Sequence, residues 1–353
     1  NYMNKLKVGV IGVGNIVRFH MPGWAKSEHA EVVAAADVNE KVLKNWGEKN
    51  NINKLYTNPF DLINDTDIDI IDICAPNNYH SDLVIQSLKS GKHVLCEKPL
   101  APTYQEIEEM IDVRDKYNKK LMCAQHFRFR QDSQIIKKEV QSIGEIYHAR
   151  SWMIRRNYLP VKNSFLQKEN SGGGACIDIG VHVLDLTLWF MGNPNPISVS
   201  GVSKTELAKQ NHAFSKWGEY DKNIIDVEEF AAAFVKFDND SSLILEVSWM
   251  LHHQQKPDIV EDMQVWLYGK EGGLHWPNLN KTSIDKSNMQ DKDEILSSKY
   301  IDKEKPHAEE CIEFAKSIYY DKPSPVAAEE SFNVMRILNA IYESQKTKKE
   351  IIL

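Results

Sequence analysis

Two carboxylates and an imidazole interrupt an otherwise apolar stretch, "SGGGACIDIGVHVLDLTLWFMG", from Ser171 to Gly192. Asp178, His182 and Asp185 follow one another at spacings of four and three, which places them on one face of a helix. Ile177, Val181, Leu184 and Leu188 form a second, apolar face. Polar groups on such a helix either satisfy one another, with Asp178 also able to cap the helix, or they do chemistry. Imidazoles titrate near neutrality, so His182 suits proton exchange with a hydroxyl, while Asp178 would orient the ring or bind a neighbouring hydroxyl. Asp185 reads as a structural hydrogen-bonding residue. The glycines ahead of the helix, Gly172 to Gly174, would let its N-terminus approach a ligand closely.

A second constellation opens the chain. "VGVIGVGNIV" carries Gly12-x-Gly14-x-x-Val17 after an apolar run, and a second apolar run ends in Asp37. Strand, glycine turn, helix, strand and acid in this order describe a dinucleotide-binding turn. Gly12 would permit the turn, Gly14 would let the backbone approach the pyrophosphate, and Asp37 would accept from the ribose hydroxyls. A carboxylate at that point repels a 2′-phosphate, so NAD is favoured over NADP. "ICAPNNYH" puts Pro76 and Asn77 beyond the third run, along the nicotinamide half, or uses an asparagine as a helix cap. "GKHVLCEKPLA" puts Lys98 beyond the fourth, where a lysine can polarise a substrate hydroxyl or merely sit in a polar turn. "CAQHFRFR" offers Gln125, His126 and Arg128 beyond the fifth, and "WMIRRNYLP" offers Arg155, Arg156 and Tyr158. His252 and His253 are adjacent, so on a strand they point to opposite faces, and no metal site is expected from them.

The elements that must position these residues follow from the pattern. Five short apolar runs alternating with helix-like segments argue for a parallel sheet covered on both faces. From about Gly144 the chain turns into successive alternating segments: "GEIYHARSWMI", "ISVSGVSKTE", "EEFAAAFVKFD", "SLILEVSWML" and "MQVWLYGKEGGLHW". The fold class is therefore α/β plus α+β. A doubly wound parallel sheet of Rossmann type occupies residues 3–123, and a second domain over 124–353 carries a large, mainly antiparallel, open-faced sheet. Polar insertions over 209–226 and 278–305 read as long loops. The final helices would pack back on the first domain.

Composition narrows the function class. The 353 residues carry a net charge of −7 with no basic stripe, which argues against nucleic acid. No apolar run reaches the roughly 18 residues that suggest a membrane span. Five cysteines without paired spacing fit buried free thiols, and the cytoplasm is the expected compartment. Asn1 and Tyr2 precede Met3, a residue able to initiate the chain.

Taken together, the Gly12-x-Gly14 turn, "APNNYH", "GKHVLCEKPLA", "QHFRFR", "GGGACIDIGVHVLDL", "EEFAAAFVKFDNDSSLILEVSW" and "LYGKEGGL" resemble the Gfo/Idh/MocA family of NAD(P)-dependent sugar and cyclitol oxidoreductases. The resemblance runs from Leu6 to the last helix. Val17 departs from it, being bulkier than the usual glycine or alanine, which puts the helix–strand packing at that point in question. By resemblance, Lys98, Asp178 and His182 form the catalytic group, the choice of base between His182 and Lys98 staying open. The resemblance assigns the cofactor to Gly12, Gly14, Asn15, Ile16, Asp37, Ala75, Pro76, Asn77, His80, Glu97, Lys98 and Gln125, and the substrate to Lys98, His126, Arg155, Tyr158, Asp178 and His182. It implies hydride transfer between NAD(H) and a secondary alcohol of a sugar, sugar derivative or inositol. Alternatives are NAD-dependent glycoside hydrolysis through transient oxidation and a non-catalytic NAD/sugar sensor. It also implies a homodimer or homotetramer formed through the outer face of the second sheet, with Trp249 and Trp266 as candidate contributors.

Overall fold

The computed structural model describes residues 4–296 and 305–353. The chain divides into two compact units, Asn1–Phe129 with Asp302–Phe332 and Arg130–Ile301 with Asn333–Leu353. The division expected after residue 123 thus falls after 129, and a later segment belongs to the first unit.

In the first unit, β1 (Leu6–Ile11), β2 (Ala30–Ala36), β3 (Lys54–Tyr56), β4 (Ile70–Ile73), β5 (His93–Cys96) and β6 (Leu121–Cys123) form one sheet in the order β3-β2-β1-β4-β5-β6. Every pairing in it is parallel. Val8, Val10, Ile70, Ile71, Ile73, Val94 and Leu95 are fully buried, as expected of strands covered on both faces. Helices α1 (Val17–Lys26), α2 (Glu40–Asn50), α3 (Pro59–Ile63), α4 (His80–Lys89) and α5 (Tyr104–Lys116) connect the strands. Caps mark where they start. Asn39 accepts from Val42 N ahead of α2, and Thr103 and Glu106 form a reciprocal capping box on α5. Strand order reverses between β1 and β4, which makes the carboxyl ends of these strands the crevice where such sheets bind ligands. The short β3 has no apolar run to announce it, which is why five strands were expected instead of six.

The second unit contains β7 (Ile146–Ile154), β8 (Pro196–Lys204), β9 (Phe230–Phe237), β10 (Ser242–Ser248), β11 (Asp262–Gly269), β12 (Gly273–Trp276), β13 (Asn280–Asp285), β14 (Gln290–Ile295) and β15 (Ile351–Ile352). They form a sheet in the order β14-β13-β12-β11-β7-β10-β9-β8-β15. Only β7 and β10 run parallel; the remaining pairs are antiparallel. Alternation is plain on β10, where Leu243, Leu245 and Val247 are buried and Ile244 is exposed. The helices of this part are α6 (Gln131–Glu139), α7 (Asn163–Leu166), α8 (Lys168–Ser171), α9 (Ala175–Asp178) and α10 (Gly180–Met191). The buried α10 packs on β7, β10 and β11.

Two expected loops are structured. Residues 280–295 form the β13–β14 hairpin, while 297–304 lie outside the described residues. The 209–226 segment is pinned: Lys216 N donates to Asn157 O (2.9 Å), Ser215 Oγ to Leu159 O (2.8 Å) and Tyr220 Oη to Ala208 O (2.9 Å). Two further helices close the chain, α11 (Pro306–Tyr319) and α12 (Ala328–Thr347). α11 packs against α1 so closely that a Cβ on Gly23 would strike the Ala308 carbonyl. Val17 is itself buried at the start of α1, so the close approach needing a small residue occurs at Gly23 and not at position 17. Among the described residues, no single helix is long and apolar enough to cross a membrane.

Candidate active site

The turn after β1 is shaped by two different demands on glycine. Gly12 has φ +89°, and a Cβ there would lie 2.7 Å from the Cys74 carbonyl oxygen. Conformation and space both exclude a side chain. Gly14 faces open space, with nothing within 4 Å of where a Cβ would be, so its backbone is accessible to a ligand. Asp37 ends β2 and ties the turn down: Val13 N donates to its Oδ2 (3.0 Å) and Asn39 N to its Oδ1 (2.9 Å). Asn15 and Ile16 follow on the way into α1, for which Ile16 is the cap residue.

Beyond β4, Ala75 and Pro76 lead into a 3-10 turn over Asn77–Tyr79. His80, expected at the cofactor, lies between two backbone carbonyls. Its ring is fully buried, with Nδ1 2.7 Å from Pro99 O and Nε2 2.8 Å from Ala75 O. Each ring nitrogen faces a backbone carbonyl, and burial lowers its pKa against those two contacts. His80 thus sits between the segments that follow β4 and β5.

Beyond β5, Lys98 is half-buried and its bond to Pro99 is cis. Glu97 is buried; its Oε2 accepts from Lys98 N (3.0 Å) and its Oε1 lies 2.8 Å from His20 Nε2. Burial alone would raise the Glu97 carboxyl, but the hydrogen bond and charge of His20 hold it down, at about 2. Past β6, Gln125 is buried and its Nε2 has no hydrogen-bond partner among the described residues. His126 stacks on His307 of α11 (3.8 Å between centroids), and burial lowers His307 to about 4. Arg128 is buried and pairs with Glu330 at 2.5 Å. These features fit a dinucleotide. The glycine turn is open at Gly14, a carboxylate stands at the end of β2, and an orphaned amide donor waits at the end of β6.

In the second unit the polar helix is not continuous. Asp178 closes the single turn α9, Ile179 breaks it, and α10 starts at Gly180; the stretch Lys168–Asp178 and Gly180–Met191 are bent by 46°. Asp178 and His182 are thus contributed by two short helical pieces, not by neighbouring turns of one helix. Asp178 is half-buried and accepts from Trp249 Nε1 (3.1 Å). Arg155 Nη1 lies 3.9 Å from the same carboxylate and gives its Nε to Glu261 (2.7 Å). Trp217 brings the pinned 209–226 segment over Arg155 (5.0 Å) and beside Tyr158 (5.4 Å), and Lys216 Nζ lies 5.3 Å from the Tyr158 ring. His182 is buried, as is Asp185.

The glycines before this helix serve packing instead of ligand approach. A Cβ on Gly174 would collide with the Glu228 carbonyl, and one on Gly173 with the Tyr342 hydroxyl. The Glu228 carboxylate in turn accepts from Gly174 N, Cys176 N and Tyr342 Oη, at 2.9 to 3.1 Å. Burial raises its pKa against those bonds. Trp249, a candidate for the outer sheet face, is buried in the core and serves Asp178. Trp266 does lie on the half-exposed side of β11, stacked on His275 at 3.5 Å.

Several residues here escaped the sequence reading: His20, Asp72, Glu310, His307, Lys216 and Trp217. Asp72 did leave a signal, a lone carboxylate inside an apolar strand. His20 and Glu310 sit at core-facing helix positions, where polarity is also informative.

A dinucleotide turn at the switch point of a parallel sheet, in one chain with a large open-faced sheet, defines an NAD-binding two-domain oxidoreductase. Residues 6–125 match the oxidoreductase family with an NAD-binding Rossmann fold, and residues 134–275 match the Gfo/Idh/MocA C-terminal domain. The chain belongs to the Gfo/Idh/MocA family and is an NAD-dependent oxidoreductase. It is 28% identical to the D-glucoside 3-dehydrogenase of Escherichia coli (strain K12), covering 99% of this chain and 97% of that one. It is 24% identical to the myo-inositol 2-dehydrogenase of Thermotoga maritima, covering 99% and 98%. A solved levoglucosan dehydrogenase in complex with NADH shares the fold with a TM-score of 0.84, at 21% identity and 99% coverage of both chains.

Proposed function

We propose that this enzyme transfers a hydride between NAD(H) and a ring secondary alcohol of a sugar, sugar derivative or inositol. The relatives named for a glucoside, myo-inositol and levoglucosan support that substrate class. When bound, NAD supplies the hydride acceptor or donor. Gly12, Gly14, Asn15 and Ile16 cradle its phosphates, Asp37 takes the ribose hydroxyls with its remaining lone pairs, and Ala75, Pro76, Asn77 and Gln125 line the nicotinamide half.

Lys98, Asp178 and His182 do the proton chemistry. His182 exchanges the hydroxyl proton, Lys98 donates to the same oxygen and stabilises its developing charge, and Asp178 orients the imidazole or a neighbouring hydroxyl. Arg155, Tyr158 and His126 hold further hydroxyls, with Trp217 offering an apolar ring face to the sugar's C–H surface. The observation that carries this reading is the state of Asp178. Its carboxylate is oriented by Trp249 Nε1 and is half-buried, so part of it stays accessible.

The testing experiment is an NADH-absorbance screen over glucosides, inositols, anhydro sugars and sugar acids. Stoichiometric NADH from one of them is the expected outcome; release of an aglycone without NADH would instead indicate hydrolysis. Lys98→Ala and His182→Ala should each abolish turnover while leaving NAD binding, read by fluorescence titration, nearly unchanged. Near-normal turnover in either would remove that residue from the chemistry. The five buried free thiols support a reducing, cytoplasmic location.

A further inference from the structure

Inside the first unit lies a polar cluster that the reaction does not directly use. His20, on α1, is fully buried. Its Nδ1 lies 3.1 and 3.0 Å from the two carboxylate oxygens of Asp72, and its Nε2 lies 2.8 Å from Glu97 Oε1. Trp24 Nε1 donates to Asp72 Oδ2 (2.7 Å), and Cys74 Sγ is 3.6 Å from Asp72 Oδ1. Glu310 of α11, also fully buried, brings Oε1 to 3.7 Å from His20 Nε2. Neither of its carboxyl oxygens has a hydrogen-bond partner among the described residues.

Such a group invites a metal ion, and His20 with Asp72 and Cys74, or with Glu97 and Glu310, comes close enough to ligate one. Spacing decides against it. Two ligand atoms each about 2.1 Å from a tetrahedral ion lie roughly 3.4 Å apart. The 2.8 Å between His20 Nε2 and Glu97 Oε1 is the length of a charge-assisted hydrogen bond. The same distances fix the proton count. A neutral imidazole has one N–H, so one of its two carboxylate contacts would set lone pair against lone pair in a fully buried site. Two ionised carboxylates at hydrogen-bond distance, one on each nitrogen, call for two N–H groups, and Glu97 is held ionised.

We propose that His20 is held as an imidazolium between Asp72 and Glu97, and that this cation fixes the Glu97 carboxylate and with it the turn from which Lys98 projects. Glu97 is the link: one oxygen is on the imidazolium and the other accepts the backbone N–H of Lys98. His20 and Asp72 are then positioning residues for Lys98, an inference that rests on the catalytic reading of Lys98 given above. Glu310 is the neutral member. Burial raises its carboxyl well above the usual range, so its proton keeps a third negative charge out of the cluster. The groups facing the ring are Asp72 from β4, Cys74 beyond it, Glu97 beyond β5, and Glu310 and Cys311 from α11. Lys98, His126 and His307 act electrostatically on Glu97 or share its surroundings. Burial opposes the charge on His20, but Asp72, Cys311 and Cys74 outweigh it and raise its pKa well above the ordinary value.

The test uses the full chain labelled with ¹⁵N-histidine, with the His20 signals assigned by their loss in His20→Gln. At a pH well above the ordinary histidine range, two ring N–H groups are expected on His20; a single N–H there overturns the imidazolium. Kinetics test the positioning. His20→Gln should lower kcat by roughly 10- to 100-fold with little change in the Kd for NAD. Its kcat profile should also gain an acidic limb absent from the parent, because Glu97 loses its counter-charge and protonates at higher pH. A merely structural His20 would lower stability without creating that limb, and an unchanged profile overturns the positioning role. Glu310→Gln, which mimics the protonated acid, should leave kcat and its pH profile near those of the parent; a large loss would show that Glu310 is ionised and overturn the proton count. The two readings separate cleanly. If Lys98→Ala stays active, the catalytic reading fails while the NMR result still stands or falls by itself.

Discussion

Asp37, at the end of β2, accepts from Val13 N and Asn39 N and so holds the glycine turn. Its place at the end of the second apolar run was legible, because strand, glycine turn and acid occur in a fixed order. Its hydrogen bond to Val13 N was not, since no spacing rule links a carboxylate to one particular backbone amide. Asp37→Ala should therefore do two things: relax the preference for NAD over NADP, and weaken NAD itself by about 1 kcal/mol as the turn loosens. Kd values for both cofactors check this, and an unchanged ratio would remove Asp37 from the ribose site. Trp249→Phe keeps the ring and deletes the donor to Asp178, so a drop in kcat of roughly 10-fold with preserved folding is expected. The buried histidine also leaves a mark on stability. With a folded-state pKa raised above the unfolded value, His20 contributes stability that is fully present below the unfolded pKa and is lost as pH rises through the folded one. Between those two pKa values, stability should fall by roughly 1.4 kcal/mol per pH unit for this proton, and His20→Gln should flatten that slope in urea melts.

At the level of elements, the parallel strands and α10 announced themselves through unbroken apolar runs, and so did the alternating strands of the second sheet. Short or polar elements did not. β3 has three residues, and β13 and β14 carry mostly polar side chains, so periodicity had little to act on. The polar stripe of Asp178, His182 and Asp185 was visible, but the break at Ile179 was not, because nothing in "CIDIGVH" forbids a straight helix except one glycine. Glu228 holds the amides of Gly174 and Cys176 at the start of α9, a tertiary contact that no local spacing announces. Gly174→Ala should prove severe, since the new methyl meets a backbone carbonyl that cannot rotate away. A loss of about 2–4 kcal/mol is expected, read from denaturant midpoints. An alanine tolerated within about 0.5 kcal/mol would show that the contact relaxes.

For the molecule as a whole, the sheet of the second unit carries Phe234 and Ile244 on neighbouring strands with their surfaces exposed, in the same sheet as Trp266. An apolar sheet face of this kind is where the homo-oligomer implied by the family resemblance would form. Phe234→Glu with Ile244→Glu should shift light scattering toward the monomer, and an unshifted mass would place the interface elsewhere. The change in pattern near Gly144 suggested a two-unit plan, and the final helices were expected to pack back on the first unit; the Gly23–Ala308 contact that seats α11 on α1 was not foreseen, because it joins residues far apart in sequence. That return has a practical consequence for anyone recombining this scaffold. The cofactor unit is not one continuous cassette: its second piece, Asp302–Phe332, follows only after most of the second unit. Cutting after Phe129 would strip α11 from α1 and leave Glu310 out of the buried cluster. A chimera that borrows a relative's NAD unit must therefore transplant two segments at once, with matching residues at the positions of Gly23 and Ala308.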